Sequence, residues 1–236
     1  MSTNSLSGVS VDCVVFRYNV ELSRLEVLLV NRKEKIASQP KISLPGDSVR
    51  TNEEVLVAAK RVLFEQTGLR TPLYRFRSFE DPTRLDRQTK PDRRVITKAY
   101  LGFTSNTELE FGGLAEDGFF TSIEDVPKKM LYDHASIFRS GLDALTKAAE
   151  NHLVPLDGMP KSFTTTQLQN FYEVILGKTL DKRNFRRSIL SKDYLEETGE
   201  YLRGTNFRPA KLLTFNQVKF QRCLDKELEK LPVILF

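Results

Sequence analysis

The chain has 236 residues, 40% hydrophobic and 28% charged, with a formal net charge of +5. That balance suits a soluble globular protein with a core large enough for one big domain or two modest ones, and no apolar run reaches the roughly 18 residues of a membrane span. The isolated Cys13 and Cys223 argue for a reducing, cytoplasmic setting, His134 and His152 are too few for a zinc site, and "MSTNSLSGVS" does not read as a signal peptide.

Residues 10–19 and 25–32 are apolar runs joined by the short polar "VELSR", which predicts a β-hairpin. The turn cluster "SLPGDS" follows. Asn52 is then placed to cap a helix over 53–67, with Val55, Ala58, Ala59, Val62 and Leu63 at helical spacing and Gly68 as its stop. Strands are expected at 73–79 and 94–103, separated by the long polar loop "EDPTRLDRQTKPDR". "GFFTSIEDVP" reads as a strand and a turn, residues 133–149 as a helix, and "VPLDGMPKSF" as a linker.

Beyond the linker, Thr164 to Gly177 forms an amphipathic helix with Leu168, Phe171, Tyr172 and Ile175 on one side. Asp181 caps a second helix, "KRNFRRSIL", in which Phe185, Ile189 and Leu190 are apolar and the other faces are basic. Residues 194–216 read as a β-ribbon with a basic tip, so the segment as a whole is a winged helix-turn-helix. Charge agrees with this division. Residues 1–159 carry 22 Lys+Arg and 22 Asp+Glu, whereas residues 160–236 carry 14 and 9. An excess confined to the last third fits an acidic partner such as nucleic acid, or a solvated basic face.

Gly46 to Leu69, "GDSVRTNEEVLVAAKRVLFEQTGL", resembles the Nudix box, G-x5-E-x7-R-E-U-x-E-E-x-G-U with U aliphatic. Glu53, Arg61, Leu63, Glu65, Gly68 and Leu69 fall on the pattern; Asp47 stands at its first glycine, with Gly46 one residue early. The box aims several carboxylates of one helix face at magnesium on a pyrophosphate. Here the three acid positions hold Val62, Glu65 and Gln66. An aliphatic side chain ligates nothing and an amide brings no charge, so neither a metal nor any other cofactor is expected and no catalytic residue is assigned.

The degenerate box, the "LDKRNFRRSIL" helix and a wing carrying "RPAKLLTF" together resemble the Nudix-related transcriptional regulators, across roughly residues 8–217. That family includes repressors sensing ADP-ribose and repressors sensing arabinose or a similar pentose. The resemblance implies an α+β chain: an N-terminal Nudix-type α/β/α sandwich with a mixed sheet over 1–153, binding effector and dimerising, then a small C-terminal winged helix-turn-helix over 154–236. It implies a homodimer on a palindromic double-stranded operator. Lys182, Arg183, Asn184, Arg186 and Arg187 suit phosphate and base-edge contacts, Thr165 and Gln167 suit phosphate, and Arg203 and Arg208 sit at the wing. Candidate effector-binding residues are Arg32, Phe79, Asp81, Arg84, Arg93 and Arg94, since guanidinium grips phosphate bidentately. The 80–93 loop is longer and more basic than in ADP-ribose sensors, which favours a sugar or sugar phosphate while leaving ADP-ribose-like nucleotides open. The alternatives are an active Nudix pyrophosphohydrolase, with Asp81 or Asp86 supplying ligands for an ADP-ribose-like or sugar-nucleotide diphosphate, and a module whose basic helix meets an acidic protein.

Overall fold

The structure is a computed structural model that describes residues 8–33, 40–81, 95–202 and 209–230. Its centre is a mixed seven-stranded sheet. Strand β1 (Gly8–Asn19) pairs antiparallel with β2 (Arg24–Arg32) only near their turn, from Phe16↔Val27 to Asn19↔Arg24. The two strands then diverge. The first half of β1 takes β4 (Gly46–Ser48) as its partner, and the second half of β2 takes β3 (Ile42–Ser43). On its other edge β1 runs parallel to β6 (Val95–Phe103), which pairs with β5 (Leu73–Phe79), and β7 (Ala115–Ser122) lies along β2.

The period-2 pattern of β1 decides the layers. Val11, Cys13 and Val15 face helix α1 (Val55–Thr67) and pack with Ala58, Ala59, Val62 and Leu63. Val14, Phe16 and Tyr18 face the other way, into the core that includes Ile137 and Phe138 of helix α2 (His134–Glu150). Being buried on both faces is why β1 reads as an almost unbroken apolar run. Gly141 of α2 packs closely on Val14: a Cβ there would lie 3.1 Å from Val14 Cγ2.

The C-terminal part is a winged helix. Strand β8 (Phe163–Thr164) leads into α3 (Thr165–Leu176), then α4 (Lys182–Ile189), β9 (Leu195–Leu202), β10 (Ala210–Phe215) and α5 (Gln217–Lys230). The strands form a sheet in the order β8-β10-β9. Among the described residues, no helix is long and apolar enough to cross a membrane.

Three expectations change. Helix α1 begins at Val55 rather than residue 53, with Glu54 as its N-cap and no side-chain capping bond. Asn52 is not the cap, because Glu53 turns back to accept the Arg50 N–H at 2.7 Å instead of entering the helix. The stretch expected to be a linker is interior: Val154, Leu156, Met159 and Phe163 are buried in the same core as Phe16 and Phe103. Leu190 does not pack with Phe185 and Ile189 but lies 41% exposed, as the residue that ends α4.

Helix α5 has no counterpart in the sequence expectations. It starts on Asn216, whose Oδ1 accepts the Lys219 N–H at 3.0 Å, and it buries Phe220 and Leu224. Asn before apolar residues at 220, 223 and 224 was the available signal.

Candidate functional site

Two regions hold the predicted residues: the degenerate box and the exposed face of the winged helix. In the box, Val62 is 1% exposed and belongs to the core beneath α1. Gln66 is buried and closes a ring with Gly46, its Nε2 donating to Gly46 O at 3.0 Å and its Oε1 accepting from Gly46 N at 3.3 Å. Arg32 supports the same turn, donating from Nη2 to Gly46 O at 2.8 Å and from Nε to Ser43 Oγ at 3.2 Å. His134 supports it from below: its Nδ1 accepts the Leu44 N–H at 2.9 Å and its Nε2 lies 3.4 Å from Asp12 Oδ1. Gly46 suits this position, since a Cβ there would lie 2.9 Å from the backbone Val11 O and would press on the Asp12 carboxylate. The displaced box glycine is thus compensated one residue earlier, and Asp47 accepts the N–H of Ser48 instead.

The remaining acids are committed to arginines. Glu53 takes Arg61 Nε at 2.9 Å and Nη2 at 2.6 Å, bonds that pull its carboxyl down to about 2. Glu65 takes Arg61 Nη1 at 3.0 Å and Arg50 Nη2 at 3.2 Å. Two guanidinium groups therefore balance two carboxylates. A hard divalent cation needs several oxygen ligands converging on it, and these residues do not provide them. Among the described residues, no cluster of three or more His, Cys, Asp or Glu could hold a metal.

Gln66→Leu removes both bonds to a buried backbone pair and is expected to destabilise the protein by about 1–3 kcal/mol. Urea denaturation reads this directly; an unchanged midpoint would show that the turn does not depend on Gln66.

Of the effector-binding candidates, Arg32, Phe79 and Asp81 lie within the described residues; Arg84, Arg93 and Arg94 lie outside them. Phe79 ends β5 half-buried, with the Arg77 guanidinium 5.3 Å from its ring centre, and Asp81 follows it, exposed. Register relates these residues to the box. Phe79 is opposite Thr97, Thr97 opposite Ser10, and Ser10 opposite Ser48. Phe79 and the box loop therefore share one end of the sheet, three strand spacings or about 14 Å apart.

In the winged helix, Thr164 caps α3 through a reciprocal pair: its Oγ1 accepts the Gln167 N–H at 3.2 Å, and Gln167 Oε1 accepts the Thr164 N–H at 2.8 Å. Gln167 is thus first a capping residue, with its amide NH2 still available as a donor, and Thr165 is half-buried beside it. The α3–α4 turn is fixed by Glu173, which accepts the Leu180 N–H at 2.8 Å, and by Gln169, which donates to Leu180 O at 2.9 Å. Asp181 caps α4 by accepting the Asn184 N–H at 2.8 Å.

Phe185 and Ile189 are buried, leaving Lys182, Arg183, Asn184, Arg186 and Arg187 on the exposed face. Arg187 Nη2 donates to Asn184 Oδ1 at 3.3 Å. Arg203 and Arg208, between β9 and β10 in the sequence, lie outside the described residues.

Residues 6–140, more than half of the chain, match the NUDIX domain family model. The chain belongs to the NUDIX domain family. Residues 155–215 match a second model, the NrtR DNA-binding winged helix domain, so a Nudix sandwich is followed by a winged helix as the sequence implied.

The chain is 28% identical over 212 residues to the ADPR responsive transcriptional repressor NtrR of Acinetobacter baylyi, covering 88% of this chain and 81% of the relative. Its fold is similar to that of Shewanella oneidensis NrtR, solved in complex with a 27mer DNA, at TM-score 0.74 and 25% identity over 90% of this chain and 95% of that one. A MutT/nudix family protein from Enterococcus faecalis is similar at TM-score 0.75 and 25% identity, covering 91% of this chain and 88% of that one.

Proposed function

We propose that this protein is a ligand-responsive, DNA-binding transcriptional repressor whose Nudix sandwich, residues 1–153, senses a small molecule and whose winged helix, residues 154–236, reads an operator. The observation that carries this reading is α4: four cations and Asn184 on its exposed face, Phe185 and Ile189 anchoring its other face in a core shared with the Nudix sheet. The cations suit phosphates, an arginine suits guanine and Asn184 suits adenine. Thr165 and Gln167 at the start of α3, with Arg203 and Arg208 at the wing, complete the proposed footprint. Two copies on a palindrome, with half-sites one helical turn apart, match the way such modules dock.

The effector proposed here is ADP-ribose or a similar nucleotide. The sugar or sugar phosphate suggested by the longer, more basic 80–93 loop has no support among the relatives; the Acinetobacter relative is an ADPR responsive repressor. Arg32, Phe79 and Asp81, at the sheet end that spans about 14 Å, are its proposed contacts, together with the sequence candidates Arg84, Arg93 and Arg94.

Hydrolysis is not part of the proposal. Glu65 is paired with Arg61 and Arg50, Val62 is in the core and Gln66 is bound to Gly46. The test is incubation with ADP-ribose and magnesium, following release of AMP and ribose phosphate. No turnover above the uncatalysed rate is expected; magnesium-dependent release abolished by Glu65→Gln would make the protein an enzyme instead. Salt dependence checks the DNA side: the log–log slope of affinity should be steep, falling by about 0.9 for each phosphate contact removed, as in Lys182→Ala.

A further inference from the structure

The two strands of the wing pair irregularly. Tyr201 lies opposite Lys211 and Glu197 opposite Leu213, so four steps along β9 match two along β10. The surplus forms a bulge at Thr198, Gly199 and Glu200 facing Leu212. Gly199 sits at φ 78, a left-handed conformation that glycine adopts without strain. Thr198 fixes the bulge, its Oγ1 donating to Leu212 O at 3.1 Å and accepting the Glu200 N–H at 3.1 Å.

A bulge re-aims side chains. Here it brings Glu197 to the same lysine that Tyr201 faces: Lys211 Nζ lies 2.9 Å from Glu197 Oε1 and 2.8 Å from Oε2. Lys211 and Glu197 are 52% and 58% exposed. Lys211 is also close enough to Arg186 of α4 for that charge to oppose, though not overcome, the hold of Glu197 on its proton. So Lys211 extends the basic face of α4 onto the wing, and Glu197 covers it. An exposed ion pair is weakly held, so a backbone phosphate can displace it.

We propose that Glu197 and Lys211 form a latch at the base of the wing: in the free protein the carboxylate covers the ammonium, and on duplex DNA Lys211 transfers to a phosphate. Breaking the pair offsets part of that new contact, so the latch lowers affinity for any duplex that does not compensate through base contacts. This rests on the DNA-binding reading above.

The test is fluorescence anisotropy of the full chain on a mixed-sequence duplex across a salt series, with thermal melts as the fold control. Glu197→Gln should tighten binding by roughly three- to tenfold, and Lys211→Ala should reduce the salt slope by about 0.9. In the Lys211→Ala background, Glu197→Gln should lose most of its gain, the non-additivity of a coupled pair. Equal gains with and without Lys211 would reduce Glu197 to bulk charge and overturn the latch. So would an unchanged slope in Lys211→Ala while Arg186→Glu still abolishes binding; in that case the DNA-binding reading survives and the latch does not. A wild-type chain that binds no duplex would sink both.

Discussion

Reversing Arg183 and Arg186 to glutamate should abolish duplex binding and leave the folded protein intact. Both side chains are exposed on the face of α4 opposite Phe185 and Ile189, so the core does not register their replacement. For DNA the change is large. An arginine on a base edge is worth about 1–3 kcal/mol, and each neutralised phosphate adds about 0.9 to the salt slope. Losing two such contacts and gaining two repulsive charges should weaken binding by roughly a hundredfold to ten-thousandfold. Anisotropy titrations of wild type and double variant, with thermal melts alongside, measure both halves of the expectation. Normal binding by the variant would show that α4 does not enter the groove. Asn184→Ala should behave differently, weakening the preferred sequence while sparing mixed-sequence affinity, because an amide reads bases rather than charge.

Phe171→Ala should be the most destabilising single change at the junction of the two parts. Phe171 is fully buried, with Tyr18 of β1 at 5.3 Å edge-on, Phe103 of β6 at 5.9 Å and Tyr172 at 5.8 Å. Truncating a buried phenylalanine costs about 3–5 kcal/mol, a large share of the roughly 5–15 kcal/mol that holds a domain folded. The same rings carry the proposed signal. From Tyr18 and Phe103 on the Nudix sheet, contacts run through Phe171 and Tyr172 to Phe185 of α4, 5.4 Å from Tyr172. His152, just past the end of α2, meets both Tyr172 and Phe185, at 5.4 and 5.8 Å. Such close-packed interiors repack between discrete arrangements rather than deform smoothly. Phe171→Leu keeps most of the buried area and should fold, yet blunt the proposed change in DNA affinity on adding ADP-ribose. Urea denaturation measures the first effect and anisotropy with and without ADP-ribose the second; an undiminished response in Phe171→Leu would move the signal path elsewhere.

Much of the fold was legible because local chemistry and tertiary demand agree. The apolar runs of β1 and β2, the Gly68 and Gly177 stops and the Asp181 cap each encode a local geometry that packing preserves. Legibility failed where a residue's partner is remote in sequence. Gln66 read as a lost metal ligand, and its bond to Gly46, twenty residues away, is visible only in three dimensions. "VPLDGMPKSF" read as a linker because Pro and Gly mark turns, yet its apolar residues fill the space between two sheets and α3. Glu197 and Lys211 are ordinary surface charges until the bulge at Gly199 sets their register. Arg32, an effector-binding candidate, also braces the box turn through Gly46 O and Ser43 Oγ, a second task that its sequence position gave no reason to expect.

The most direct measurement is a titration of the full chain, in EDTA, onto a duplex spanning the region upstream of its gene, with and without ADP-ribose. A salt-sensitive complex that forms without metal and shifts in affinity by about fivefold or more on adding intact ADP-ribose is the predicted result, an ordinary size for coupling between two sites. A chain that ignores the duplex, or binds it identically with ADP-ribose present, contradicts the account.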